Sequence, residues 1–205
     1  MNKEYSIYGA SGHAKVIIEI IEGASGFINE LYDDDPSKKL LLKYKVNHDR
    51  NIFHLSNVYW IIAIGNNLIR KNIAEKNLLH YGVAVDIRAN ISKTVEIGKG
   101  TVIMPGVSIN CCSKIGLHSI INTNASIDHD CFIENFVHIS PNATLCGGVT
   151  VGEGSQVGAA AVIIPGVHIG KWATIGAGSV IIKHIPDNAT VVGNPGRIVK
   201  YTDKR

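Results

Sequence analysis

Between residues 149 and 169 the chain reads VTVGEGSQVGAAAVIIPGVHI, with aliphatics at Val151, Val157, Ile163 and Ile169 and smaller side chains at Val149, Ser155, Ala161 and Val167. Stepping outward by six, the aliphatic series runs from Ile91 to Ile181 without an insertion, sixteen hexads in all. Four residues after each comes a second series from Val95 to Ile185, nearly all small. A period of six is neither the 3.6 of an amphipathic helix nor the two of a half-buried strand. It is a signature of a parallel β-helix. One large and one small residue per hexad fill a narrow core, and three hexads close a triangular coil of 18 residues. Glycine follows the aliphatic at Gly98, Gly116, Gly152, Gly158, Gly170 and Gly176, which predicts corners where positive φ is cheap. Coils stacked about 4.8 Å apart give a prism roughly 25 Å tall.

The residues before the repeat read as a small α/β domain, 1–86, with the β-helix over 91–205 and its cap. Tyr5 to Tyr8 is an apolar strand that ends in Gly9-Ala10-Ser11-Gly12-His13-Ala14-Lys15, and a helix with Val16, Ile17, Ile20 and Ile21 on one face follows. Strand, glycine turn and helix form the first half of a βαβ unit, whose helix N-terminus favours phosphate. The glycines at 9 and 12 do not make a dinucleotide GxGxxG, so a tight packing turn stays equally open. A second strand, Phe27 to Tyr32, leads into Asp33-Asp34-Asp35-Pro36. Acidic residues about 20 positions after a glycine turn often grip a ribose; a solvated turn is the alternative. Leu40 to Val46 adds an edge segment, and Tyr59 to Ile64 a buried strand ending in Gly65-Asn66-Asn67. Leu68 to Tyr81 reads as an amphipathic helix with Leu78 among its apolar residues, and Val83 to Ile87 as the last strand of the domain. A domain this short suits a mononucleotide or nucleotide-sugar better than a dinucleotide. It can cover one open end of the β-helix, with the tail after Pro186 folding over the other; Arg197, Lys200, Lys204 and Arg205 there are solubilising charge or a contact for a phosphorylated ligand.

Composition narrows the function. With 20 basic and 17 acidic residues, a net charge of +3 is too weak and too mixed for a nucleic-acid partner. No segment has the length of a membrane span, and the N-terminus lacks a signal-peptide core. Cys111, Cys112, Cys131 and Cys146 show no zinc spacing, and a reducing, cytoplasmic setting is expected.

Polar residues that a structural hexad does not need carry the chemistry. Ile127-Asp128-His129-Asp130-Cys131 places a histidine at a corner, facing out, beside a carboxylate; Val137-His138-Ile139 places a second nine residues on. Histidine is poised for proton transfer near neutral pH, and a carboxylate can fix its tautomer. Nine residues is half a coil, so the two histidines lie on different sides of one prism and can share a site only between two prisms. The spacings of His118, His129 and His138 disfavour a metal site. An outward column at His118, Phe136, Gly154 and Trp172 would leave aromatics in water unless another subunit covered them.

The whole chain resembles the PglD/NeuD-type sugar acyltransferases, which join a Rossmann-like N-terminal domain to a left-handed β-helix. The resemblance rests on Tyr8 to Lys15, Asp33-Asp34-Asp35, Ile121-Asn122-Thr123, His129-Asp130-Cys131 and Val137-His138-Ile139. It rests also on the ending Gly193-Asn194-Pro195-Gly196-Arg197, where Gly196 stands in place of the usual Ala. It implies the handedness, His129 as general base with Asp130 beside it (PglD has Glu there), and His138 at the acetyl-CoA thioester. It places Gly147-Gly148 along the CoA arm with Arg197 on the same ligand, and Asn122 with Gly9 and Gly12 to Lys15 at the acceptor. Asp33 to Asp35 join that acceptor side. The expected activity is acetyl-CoA-dependent, metal-free N-acetylation of a UDP- or dTDP-linked amino sugar by a homotrimer in bacterial glycan synthesis. O-acetylation of a sugar or sialic acid competes within the class, and a non-catalytic nucleotide-sugar scaffold or a metal-dependent hydratase outside it.

Overall fold

The computed structural model describes residues 3–51, 58–77 and 79–202; Leu78, Lys204 and Arg205 of the expectations above lie outside them. The chain opens with β1 (Glu4–Tyr8), α1 (Gly12–Gly23), β2 (Phe27–Tyr32), β3 (Leu40–Leu41), β4 (Tyr44–Asn47), β5 (Tyr59–Ile62) and α2 (Asn67–Lys76). The sheet order is β3-β4-β2-β1-β5, parallel apart from the antiparallel β3–β4 edge. Helix α2 is shorter than its apolar pattern suggested. It ends where Asn77 turns its amide back onto the Ile73 carbonyl and Tyr81 bonds to Asn77.

The hexads form a parallel β-helix of two-residue rungs in 18-residue register, as in Ser108↔Ser126, Lys114↔Phe132 and Ile120↔His138. Ile103, Ile121, Ile133, Ile139, Leu145, Val157 and Ile163 are fully buried along its axis. Polar members of the small series are satisfied within the core. Ser119 Oγ, for instance, donates to the Glu134 carbonyl, and Ser155 Oγ donates to Gly170 while accepting from Ala173 N.

The structure corrects four expectations. Positive φ falls three residues after the aliphatic, at Cys112, His118, Asn124, Asp130, Phe136 and Asn142 among others. The glycines directly after the aliphatic are needed for a different reason: a Cβ on Gly98 or Gly116 would come within 2.6 Å of the next coil's backbone. Secondly, Ala84–Val85 pairs with Val102–Ile103, so this strand is the first rung of the β-helix. Thirdly, the α/β domain covers a side of the prism, not its end. Ala14, Ile17 and Ile21 of α1 share a core with Ala84, Val102, Met104 and Ile120 on the outer face of one solenoid sheet.

Lastly, α2 covers the aromatic column of the same chain. His118 stacks on Phe136 with ring centroids 5.3 Å apart, Tyr81 meets His118 edge-on, and Lys71 sits over Trp172. Arg70, 1% exposed, gives all five N–H groups to oxygens: the carbonyls of His118, Phe136, Ile64 and Gly65, and Asn67 Oδ1. Burial pulls this guanidinium down to about 9, which leaves it charged at neutral pH. The column therefore gives no argument for a partner subunit. At the far end the tail does close the solenoid: Ala189–Val192 pairs parallel with Thr174–Ile175, and Arg197–Tyr201 returns antiparallel as an edge.

Candidate active site

The sequence Ile127 to Cys131 turns the corner between two solenoid sheets. Ile127 and Cys131 point inward, and Asp130 takes the left-handed position at φ 59°. His129 is thereby thrown outward with a side chain 56% exposed. Its Nδ1 donates to Asp130 Oδ2 at 2.7 Å, which leaves Nε2 of the neutral ring as the free lone pair. The Asp130 bond, and then the charge of Asp128, raise the His129 pKa above the ordinary value. One coil above, Gly147 makes room for the ring: a Cβ there would lie 2.7 Å from His129 Cε1 and Nε2. Gly148 and Gly166 continue the corner: a Cβ on Gly166 would meet nothing within 4 Å, and one on Gly148 would meet the Gly166 backbone at 3.9 Å, a smooth surface that suits an extended acyl-carrier arm.

A second group forms where the α/β domain meets the solenoid. Asn122 Oδ1 accepts from Thr123 N at 2.8 Å, which fixes the amide, so Nδ2 donates to His138 Nε2 at 3.0 Å. The His138 proton is then on Nδ1, and the ring's other hydrogen bond is to the Gly65 backbone. Burial, the Arg70 charge and His13 push His138 down to about 3. Burial and Arg70 likewise take His13 to about 4, and its Nε2 is buried without a hydrogen-bond partner. Both rings are neutral at working pH.

The glycine turn above them is held from within. Gly9 adopts φ 110° and lies too close to Ile64 and Ala63 for any Cβ. Ala10 N donates to buried Asp33, which also binds Asp35 N and Lys38. Burial works against that carboxylate, but Lys38 and the two N–H groups more than offset it and hold the pKa below the usual range. Asp34 accepts from Tyr8, Tyr32 and Arg50, and exposed Asp35 from Ser37. Asp33 is therefore a loop brace, while Asp34 and Asp35 keep exposed edges. At the start of α1, Ser11 makes no side-chain cap and no acidic residue occupies the first turn. The helix thus presents free N–H groups beside exposed Gly12 and Lys15.

The structure keeps these groups apart. His129, Asp130, Gly147 and Gly148 share a corner between the two sheets that the α/β domain does not touch. Gly9, Gly12, His13, Ala14, Lys15, Asn122 and His138 gather at the covered sheet. Arg197 stands exposed at the far end of that same sheet, bonded to Gly196 O, away from Gly147-Gly148. Sequence reading missed Arg70, Gly65 and the Asn110–Asp128 pair. Gly65 was visible as a turn at a strand's carboxyl end; Arg70 gave no signal, since a helix arginine is ordinarily solvated. Among the described residues no three His, Cys, Asp or Glu side chains converge on a metal position, and no helix is long and apolar enough to cross a membrane.

Comparison with known proteins agrees with the fold. Residues 6–77 match the PglD N-terminal domain, and residues 148–183 match the bacterial transferase hexapeptide repeat. The GDP-perosamine N-acetyltransferase of Escherichia coli O157:H7 is 31% identical over 158 residues, 72% of each chain. The UDP-N-acetylbacillosamine N-acetyltransferase of Bacillus subtilis (strain 168) is 40% identical over 111 residues, 50% of this chain and 51% of the relative. The acetyltransferase domain of PglB from Neisseria gonorrhoeae FA1090, also solved with acetyl coenzyme A, superposes with a TM-score of 0.90 at 33% identity, covering 97% of this chain and 100% of that one. PerB from Caulobacter crescentus, solved with CoA and GDP-perosamine, gives 0.90 at 35% identity over 96% and 97%. The chain belongs to the PglD-type family of hexapeptide-repeat sugar acyltransferases, enzymes that move an acetyl group from acetyl-CoA to the amine of an amino sugar.

Proposed function

We propose that this protein N-acetylates a nucleoside-diphosphate-linked amino sugar by direct transfer, with His129 as general base, in a site completed by a second copy of the chain. The observation that carries the reading is the His129 corner: an exposed imidazole, Nδ1 clamped to Asp130, Nε2 free over Gly147. The sugar nitrogen adds to the thioester carbonyl carbon and its proton passes to Nε2. The carbon–sulfur bond then breaks, and the departing sulfur takes the proton from the imidazolium, so CoA leaves as the thiol. No covalent enzyme intermediate is needed.

The remaining residues divide between the two ligands. The free N–H groups of α1 and Lys15 receive the diphosphate, with exposed Asp34 and Asp35 toward the nucleoside. Asn122, His13 and neutral His138 line the sugar's path to the thioester. Gly147 and Gly148 border the CoA arm, and Arg197 of the neighbouring copy, on its covered sheet, offers charge to the same ligand. His129 lies across the prism from this cleft, so one copy supplies the base and its neighbour the cleft, and a cyclic homotrimer repeats that contact three times. GDP- and UDP-linked sugars both occur among the relatives' substrates.

The test is thiol release from acetyl-CoA across GDP-, UDP- and dTDP-linked amino sugars, with the product's acetylated atom read by mass spectrometry and NMR. N-acetylation of at least one is expected. Acetyl found on a hydroxyl, or no thiol release with any amine, would overturn the reading.

A further inference from the structure

Asp128 has no part in the mechanism above, yet it is built into the His129 corner. Its Oδ1 accepts the backbone N–H of His129 at 2.8 Å and the side-chain amide of Asn110, one coil below, at 2.7 Å. Turning a corner does not require this. At Gly98, Gly116, Gly152, Gly158, Gly170 and Gly176 the same hexad position carries no side chain at all. Among the described residues the same bond, from a side-chain oxygen to the next residue's N–H, recurs at Asn122, whose amide then holds His138. The hexads that begin at Ile121 and Ile127 thus share one device.

The surroundings leave the effect on His129 to few groups. The coil below brings Asn110, Cys111 and Cys112, and the coil above brings Cys146, Gly147 and Gly148. None of these is a carboxylate, lysine, arginine or histidine, so the formally charged side chains that this chain's neighbouring coils place beside the ring are Asp128 and Asp130. Asp130 bonds the ring itself, whereas Asp128 bonds the backbone that carries it.

We infer that Asp128, braced by Asn110, is a positioning residue that fixes the His129 backbone so that the ring lies over Gly147 with Nε2 clear. This rests on His129 being the base. The direction of the His129 pKa shift agrees, since the Asp128 charge is its second cause after the Asp130 bond.

The test separates this inference from the reading beneath it. The His129 ring Cε1–H is titrated by NMR, assigned through loss of its signal in His129→Gln, and kcat/KM is followed against pH. Asp128→Asn keeps an acceptor and removes the charge; the ring titration and the acid limb should both move to lower pH. Asp128→Ala removes the acceptor as well and should lower the kcat plateau about tenfold, a larger loss than Asn gives. A ring titration unmoved in both variants, with plateaus within about twofold of the parent, would overturn the inference while leaving His129 as the base. High activity in His129→Gln would overturn the base assignment, and the ring titration would still report what Asp128 does to His129. Should Asp128→Ala not fold, the Asn variant decides.

Discussion

At His129 an exposed ring donates an Nδ1–H hydrogen bond to Asp130 and stays basic. At His138 a buried ring accepts from Asn122 and is driven down to about 3. The environment, not the residue type, separates the basic ring from the neutral one. His129→Ala should lower kcat by about 10²- to 10⁴-fold, with the acetyl-CoA KM little changed. Because Asp130 and Asp128 raise the His129 pKa, the acid limb of kcat/KM should lie above the pH expected of an ordinary histidine. Asp130→Asn should shift it downward. His138→Ala should cost less and leave the limb where it was, since a group already neutral adds no titration there. A limb that persists unaltered in His129→Ala would place the base on another residue.

Helix α1 has an uncapped N-terminus, and a Cβ added at Gly12 meets no atom of the protein within 4 Å. Gly12→Val should therefore fold normally, raise the acceptor KM and leave that for acetyl-CoA nearly unchanged; equal damage to both would remove α1 from acceptor binding. Helix α2 has the opposite task. Arg70→Met would strip the guanidinium's donors from the carbonyls of His118, Phe136 and Ile64 and from the Asn67 amide oxygen, while the Gly65 carbonyl keeps its bond to His138. The expected loss is about 3 kcal/mol or more, read as a fall in the urea midpoint. The solenoid was legible in the sequence because its period is local: each hexad declares its inward residues. The His129 corner was legible because its residues depart from that period. The seating of the α/β domain was not. It depends on Arg70 and Asn67 bonding backbone carbonyls of residues 64 to 155, and backbone acceptors leave no trace in side-chain patterns. For the same reason the column at His118 and Phe136, which looked like an exposed subunit interface, is buried by the chain's own α2.

The packing of the α/β domain on the solenoid also sets how the whole molecule answers pH. His13, His118 and His138 are buried near Arg70 and lowered to about 4, 4 and 3. Below their ordinary value near 6.5 the unfolded chain binds protons that the folded one refuses. Stability should thus be intact above about pH 6.5 and fall toward pH 4 by up to ~4 kcal/mol per pH unit for three such groups. Thermal unfolding across that range checks it, and a flat profile would mean that these rings become solvated. The same packing bears on where the proposed catalysis would occur. Within one chain the α/β domain sits on a sheet that His129 does not border, so under the proposed mechanism acceptor site and base would meet across a subunit contact. Mixing then gives a decisive experiment. A His129→Ala chain keeps a sound cleft, and a Gly12→Val chain keeps a sound base; each alone is impaired. Co-expressed in equal amounts, they assemble at random, and a site works when its base comes from the second chain and its cleft from the first. That is about a quarter of all sites in a closed ring, so at low acceptor concentration the mixture should recover about a quarter of the parent activity, well above either variant alone. A site formed within a single chain gives no rescue, because every chain in the mixture carries one lesion, and activity would stay at the average of the two variants.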